Sequence, residues 1–279
     1  MTTINGSTKF VGIFGYPVKH TLSPAMHNAA FEALELNYLY LPFEVSPENL
    51  GAAMKSLHLF GLRGVNITVP HKEAAVKFVD RIDPIASKIG AINTVVAHNG
   101  KLSGYNTDGP GFIRSLEGRF DVAGKKVLLA GAGGAGKAIG ITLGHSGINK
   151  IFVYDTDINR SGRLFQCVKP ACRAQLVRSA SELGRIMPEI DLLVNATPVG
   201  MHKGDCSPVA PELISRKLFV YDIVYNRETI LIKEARKKGC KFLSGLDMLL
   251  YQGVLAFHLW THKNAPVEAM RRALLAAMK

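Results

Sequence analysis

The stretch Lys125-Lys126-Val127-Leu128-Leu129-Ala130-Gly131-Ala132-Gly133-Gly134-Ala135-Gly136 constrains the fold more than any other part of this chain. An apolar run, Val127 to Ala130, enters a glycine-rich turn, and Lys137 to Leu143 continue as a helix. The glycines are spaced G-x-G-x-x-G at Gly131, Gly133 and Gly136. In a strand–turn–helix unit the first glycine makes the tight turn, and the second lets a pyrophosphate approach the backbone. The third lets the helix pack closely on the strand, and the helix N-terminus faces the phosphates. A following strand, Lys150 to Asp155, ends in an acid about 20 residues on, which is the context a dinucleotide site needs. A carboxylate at Asp155 accepts hydrogen bonds from ribose hydroxyls and repels a 2′-phosphate, and Asp157 adds negative charge. NAD is therefore expected over NADP, although Arg160 and Arg163 further along the helix could still reach a phosphate.

The rest of the chain alternates in the same way. Strands are expected at Lys9 to Tyr16, Tyr38 to Val45 and Gly64 to Val69, the last broken by Pro70. Helices are expected at Ala25 to Leu34, Pro47 to Leu59 and His71 to Asp80. Ser23 followed by Pro24 reads as a capping hydroxyl with proline at the first helical position. Such alternation implies a parallel sheet with helices on its faces. Ile92 to Ala97 and Lys101 to Tyr105 flank His98-Asn99-Gly100, and Asn-Gly is the strongest short hairpin signal. Asn106-Thr107-Asp108-Gly109 leads into a helix near Pro110 to Leu116. After the glycine-rich unit, strand and helix alternate to about residue 243, as in a doubly wound domain. Leu246 to His262 and Pro266 to Lys279 read as two helices with no strand between them, returning to cover the first domain. The domains expected are 1–109 with 245–279, and 110–244.

Composition bounds the function. The chain has 279 residues, 47% hydrophobic and 20% charged, which is that of a globular protein with a real core. No apolar run reaches the roughly 18 residues of a membrane span. Residues 1–9 lack the charged and apolar regions of a secretory signal, so a cytoplasmic location is expected. Cys167, Cys172, Cys206 and Cys240 form no C-x-x-C and have no histidines at zinc spacing, so reduced thiols and no metal are expected. The net charge of +12 is dispersed. Its densest cluster, Lys233, Arg236, Lys237, Lys238 and Lys241, has helical spacing and no interleaved aromatics, which argues against nucleic acid.

Ligands in open α/β sheets sit beyond the carboxyl ends of strands. There the chain carries Thr21 and Ser23, then Thr68 and Lys72, then Asn93, then Asp108. One lysine, one aspartate and several neutral hydrogen-bonding groups suit a small polyhydroxy acid beside a proton-transferring pair. Each also has a plainer reading. Ser23 and Asp108 fit helix caps, Asn93 fits a turn, and Lys72 fits a surface lysine, although a cation at a helix N-terminus is disfavoured.

The segments HTLSPAMHNAAF (20–31), GVNITVPHKE (64–73), IGAINTVV (89–96), GYNTDGPGF (104–112), GAGGAGKA (131–138), NATPVGM (195–201), DIVYNRETILIKEA (222–235) and GLDMLLYQGVLAFHLWT (245–261) occur in this order. Together they resemble the shikimate dehydrogenase family, including its quinate/shikimate relatives, over nearly the whole chain. The resemblance implies an N-terminal α/β substrate domain, a Rossmann-type doubly wound NAD(P)-binding domain, and C-terminal helices that return to the first domain. It implies Lys72 and Asp108 as the catalytic pair, and substrate contacts at Thr21, Ser23, Thr68, Asn93, Tyr225 and Gln252. It implies dinucleotide contacts at Gly131, Gly133, Gly134, Ala135, Gly136, Asp155, Thr197, Met201 and Gly245. The family usually has Ser at Thr21, so the hydroxyl is kept and a methyl is added. NADP-using members typically carry Asn-Arg-Thr where this chain has Asp155-Thr156-Asp157.

The implied reaction is reversible reduction of 3-dehydroshikimate to shikimate, in aromatic amino acid biosynthesis, by a monomer or homodimer. A lysine ammonium, protonated at neutral pH, can give the proton to the developing alkoxide. Two alternatives stand beside it: an NAD-dependent enzyme acting mainly on quinate, and a non-catalytic dinucleotide-binding paralogue. Retention of both Lys72 and Asp108 argues against the second.

Overall fold

The computed structural model describes residues 4–278. Met1–Thr3, the start of the stretch read as lacking a signal, and Lys279, the end of the last expected helix, lie outside the described residues. The chain divides into two compact units, Met1–Thr107 with Leu250–Lys279, and Asp108–Leu249.

The first unit holds β1 (Lys9–Gly15), α1 (Ser23–Ala33), β2 (Tyr38–Glu44), α2 (Leu50–Leu59), β3 (Gly64–Ile67), β4 (Arg81–Ile82), α3 (Pro84–Ile89), β5 (Thr94–His98) and β6 (Lys101–Tyr105). The sheet order is β2-β1-β3-β5-β6-β4. β1 runs parallel to β2 and β3, but β5 is antiparallel to both β3 and β6. The sheet is thus mixed rather than parallel as expected. Asn99 (φ 49°) and Gly100 (φ 71°) turn between the paired His98 and Lys101. A two-residue turn with both φ positive can only join antiparallel strands.

The helix expected over residues 71–80 is a short 3-10 segment, Ala74–Phe78. Asp80 explains the early stop. Its N–H donates to the Leu102 carbonyl (2.8 Å) and its carboxylate accepts from Leu102 N (2.7 Å), which pulls the backbone into the sheet beside β6. The cap expected from Ser23 is also corrected. The N-cap position is Leu22, without a side-chain cap bond, and Ser23 is already helical. The hydroxyl that serves this entry is Thr21 Oγ1, which accepts from Ser23 N at 3.3 Å. Phe14, Leu50, Met54, Leu57, Val65, Ile67, Ile92 and Val95 form the core. Burying each such side chain contributes about 1.5–3 kcal/mol. From Leu250 on, α9 (Gly245–Thr261) belongs to this unit, as does α10 (Val267–Ala277), which packs on α1. Trp260 Nε1 ties α9 to the sheet by donating to the Val95 carbonyl at 3.0 Å.

The second unit holds α4 (Asp108–Leu116), β7 (Lys126–Ala130), α5 (Gly134–Gly144), β8 (Lys150–Tyr154), α6 (Ile158–Val168), β9 (Arg173–Val177), α7 (Ala180–Ile186), β10 (Leu192–Asn195), β11 (Phe219–Asp222), α8 (Ile230–Lys237) and β12 (Lys241–Ser244). The order β12-β11-β10-β7-β8-β9 is parallel throughout. This is the doubly wound order, with its switch point between β7 and β10. The central strands are apolar on both faces, and Leu128, Phe152, Leu193 and Val220 are fully or almost fully buried, as a sheet covered on two sides requires. Among the described residues, no helix is long and apolar enough to cross a membrane.

Candidate active site

In the first unit a buried chain of hydrogen bonds links several candidates. Ser23 hydrogen-bonds to the Tyr40 phenol, and Tyr40 Oη donates to Asn66 Oδ1 at 2.8 Å. Asn66 Nδ2 donates to the Asn93 carbonyl and to Thr94 Oγ1, each at 3.1 Å. Thr94 Oγ1 in turn donates to Asn93 Oδ1 at 3.1 Å. Asn93 Oδ1 accepts from Thr107 N at 2.7 Å, and its Nδ2 donates to Thr107 Oγ1 at 2.9 Å. Asn93 therefore locks the residue that precedes Asp108, which is a stronger duty than turn forming. Its own neighbour is tied too, because Ile92 N donates to the Lys72 carbonyl at 2.9 Å. Thr68 starts the turn that leads to Lys72, its N–H donating to Phe14 O and its carbonyl accepting from His71 N, both at 2.9 Å. Gln252 is buried beside Gly253, where α9 meets Met26 of α1 so closely that a Cβ would overlap the methionine methyl. Sequence reasoning missed Tyr40, Asn66 and Thr94 as members of this hydrogen-bond chain; Asn66 and Thr94 lie within quoted motifs, but only the pairing of β3 with β5 brings them together.

His27 lies in the same unit and is fully buried. Its ring stacks on Tyr40 with centroids 4.5 Å apart and lies 5.3 Å from Trp260. Neither ring nitrogen has a hydrogen-bond partner. Burial disfavours the charged form and pushes its pKa down to about 3.

In the second unit the three motif glycines have three separate reasons to be glycine. Gly131 has φ +104°, and a Cβ there would lie 2.6 Å from the Ala196 carbonyl carbon. A Cβ on Gly136 would overlap the Gly131 carbonyl oxygen. Around Gly133 and Gly134 nothing lies within 4 Å of a would-be Cβ. The turn is thus closed below and open above, and α5 begins at Gly134 with its N–H groups presented at that opening. The residues present fit a bound pyrophosphate.

Asp155 is half-buried and has a structural duty that the sequence did not suggest. Its Oδ2 accepts from Ala132 N at 2.6 Å and its Oδ1 from Asp157 N at 2.8 Å. The carboxylate ties the glycine-rich turn to the end of β8. Asp157 caps α6 by accepting from Asn159 N (2.9 Å) and Arg160 N (3.2 Å), which holds its carboxyl below the usual range. Its side chain also pairs with Arg160 Nε at 3.2 Å, and Arg163 lies close enough to add to the same pull.

Asp108 is the first residue of α4 and is buried. The next residue, Gly109, sits where a Cβ would lie 2.8 Å from the Ala138 carbonyl of α5. Thr197, Met201, Tyr225 and Gly245 all follow the carboxyl ends of β10, β11 and β12. Thr197 is half-buried, Met201 exposed, and burial pushes the Tyr225 phenol up. Gly245 is glycine because a Cβ would overlap the Ile223 carbonyl.

Residues 13–95 match the family model described as the shikimate dehydrogenase substrate binding domain, and residues 245–275 match the shikimate 5′-dehydrogenase C-terminal domain. The chain is 45% identical over 279 residues to a Desulforamulus reducens protein named shikimate dehydrogenase (NADP+), covering 97% of this chain and 96% of the relative. The chain belongs to the shikimate dehydrogenase family. Among solved structures it is similar to a shikimate dehydrogenase in complex with NADP+, at 36% identity and TM-score 0.92 over 100% of this chain and 98% of the other. It is also similar to the shikimate 5-dehydrogenase of Thermus thermophilus in complex with NADP(H) and shikimate, at 37% identity and TM-score 0.88 over 97% and 100%. These names overturn the expectation of NAD over NADP, which rested on Asp155. In this chain each oxygen of that carboxylate accepts a backbone N–H, and the positive charges of Arg160 and Arg163 stand beside Asp157 in the same loop and helix, so the acids there are offset rather than left to repel a phosphate.

Proposed function

We propose that this chain is a shikimate dehydrogenase that reversibly reduces 3-dehydroshikimate to shikimate with NADPH. The observation that carries the reading is the 45% identity over 97% of the chain to a protein of that name. When bound, the nicotinamide supplies the hydride. Gly131, Gly133, Gly134, Ala135 and Gly136 hold the pyrophosphate, and Thr197, Met201 and Gly245 line the rest of the dinucleotide site. Arg160 and Arg163, at the start of α6, take the 2′-phosphate, the role of an arginine beside the second strand in NADP sites.

Thr21 and Ser23 bind the substrate carboxylate, and Thr68, Asn93, Tyr225 and Gln252 bind its hydroxyls. Lys72 gives its proton to the oxygen that becomes the alkoxide, and Asp108 shares the proton-transfer role. The residues 1–109 with 245–279 form the substrate domain in this reading, and 110–244 the dinucleotide domain. A cytoplasmic monomer or homodimer goes with it on the strength of the sequence alone.

Lys72→Ala tests the assignment. Steady-state oxidation of shikimate is expected to show kcat lowered by about 10²–10⁴ with NADPH binding near normal. A variant that keeps more than about half of the wild-type kcat removes Lys72 from the role.

A further inference from the structure

Asp222, the last residue of β11, is fully buried, and none of the roles above uses it. Three donors converge on it. Asn195 Nδ2 (2.9 Å) and Val224 N (3.1 Å) donate to Oδ1, and Thr229 Oγ1 (2.6 Å) donates to Oδ2. Burial pushes its carboxyl up, while these bonds oppose that shift. Each donor belongs to a different segment, and each is tied onward.

Asn195 ends β10 opposite Asp222 in the sheet register. Its Oδ1 accepts from Thr197 N (3.0 Å) and Thr197 Oγ1 (2.6 Å), and its Nδ2 also reaches the Val199 carbonyl (3.1 Å). Thr197 Oγ1 then accepts from Val199 N at 3.1 Å. Val224 opens the loop that carries Tyr225. Thr229 caps α8, accepting from Ile232 N at 3.2 Å, and its methyl carbon would lie 2.7 Å from a Cβ on Gly200.

We propose that Asp222 is a positioning residue that holds the loop after β10, with Thr197 and Met201, and the loop after β11, with Tyr225, as one unit. The proposal rests on the dehydrogenase reading for the ligands those loops meet, but the coupling of the loops does not depend on it. A carboxylate is needed because it offers two acceptor oxygens and no donor. An amide in its place turns an N–H toward one of the three donors and leaves that buried group without its acceptor, which is costly.

The test is Asp222→Asn, read by amide hydrogen exchange without ligand and by NADPH titration. Exchange in residues 196–201 and 224–229 is expected to rise together, and the NADPH Kd to rise by about tenfold. The KM for shikimate is expected to rise with it, whereas a mere loss of folded protein would lower the maximal rate and leave both constants unchanged. Should the amide variant fail to fold, Thr229→Val removes one donor and is expected to move both segments in the same direction, with Thr229→Ser restoring wild-type exchange. Faster exchange in only one loop or in neither, or an NADPH Kd within about twofold of wild type, overturns the proposal. Wild-type protein that binds NADPH but leaves shikimate unoxidised counts against the substrate reading alone, because the exchange measurement needs no ligand.

Discussion

Asp155 and Arg160 stand at the two ends of the cofactor question, one fixed in the fold and the other, in the proposed reading, left to meet a phosphate. Asp155 spends its carboxylate on the Ala132 and Asp157 amides. Arg160 is exposed, and its pairing with Asp157 is between two exposed groups, a contact that costs little to exchange for a phosphate. Arg160→Ala is therefore expected to lower kcat/KM for NADP by about tenfold or more while changing that for NAD little, since a charge-assisted phosphate bond contributes about 1.5–3 kcal/mol. Equal losses with the two dinucleotides would remove Arg160 from phosphate recognition. His27 makes a prediction of another kind. Its folded pKa, about 3, lies below the ordinary 6.5. The unfolded chain takes up a proton on this ring below about pH 6.5 and the folded chain does not, so stability is full above that pH and falls toward 3. Between pH 7 and pH 5 this imidazole is expected to cost about 2 kcal/mol, from roughly 1.4 kcal/mol per pH unit. Urea midpoints of His27→Phe should lack that part of the slope, and an unchanged slope would mean the buried ring does not carry it.

At the scale of the element, the glycine-rich turn separates folding from binding within one motif. Gly136→Ala must displace the Gly131 carbonyl, so it is expected to lower both Tm and dinucleotide affinity. Gly133 has ordinary φ (−73°) and open space around a would-be Cβ. Gly133→Ala is thus expected to melt near wild type and still bind NADPH about tenfold or more weakly, because the methyl stands where the pyrophosphate approaches. A thermal melt beside an NADPH titration checks this, and unchanged affinity would place the pyrophosphate elsewhere. This turn was legible because its chemistry is local: strand, three glycines and helix lie within a few residues. The Asn99-Gly100 hairpin was legible for the same reason. The stretch from His71 to Asp80 was not. Its apolar spacing fits a helix, and only the docking of Asp80 on Leu102, 22 residues away in sequence, ends the turn and starts β4. β4 itself is two residues long, too short for any periodicity to announce. Asn195, Asp222 and Thr229 were hidden likewise, since only the register of β10 with β11 brings the first two together.

At the scale of the whole molecule, eight motifs in order, a mixed six-stranded sheet and a parallel one of doubly wound order belong to one family. The motifs pointed to the reaction class through the family they resemble, and the structure shows a physical duty for one of them, Asn93 holding Thr107 just ahead of Asp108. The cofactor was misread because the sequence shows that an acid ends β8 but not where its oxygens point. The net charge of +12 agrees with attracting a carboxylate substrate and a phosphorylated dinucleotide through a positive field. The most direct measurement is kcat/KM for shikimate and for quinate, each with NADP+ and with NAD+, followed by the absorbance of the reduced nicotinamide. Shikimate with NADP+ is expected to give the highest value of the four. No absorbance change with either acid, or a higher value for quinate than for shikimate with NADP+, would contradict the proposed function.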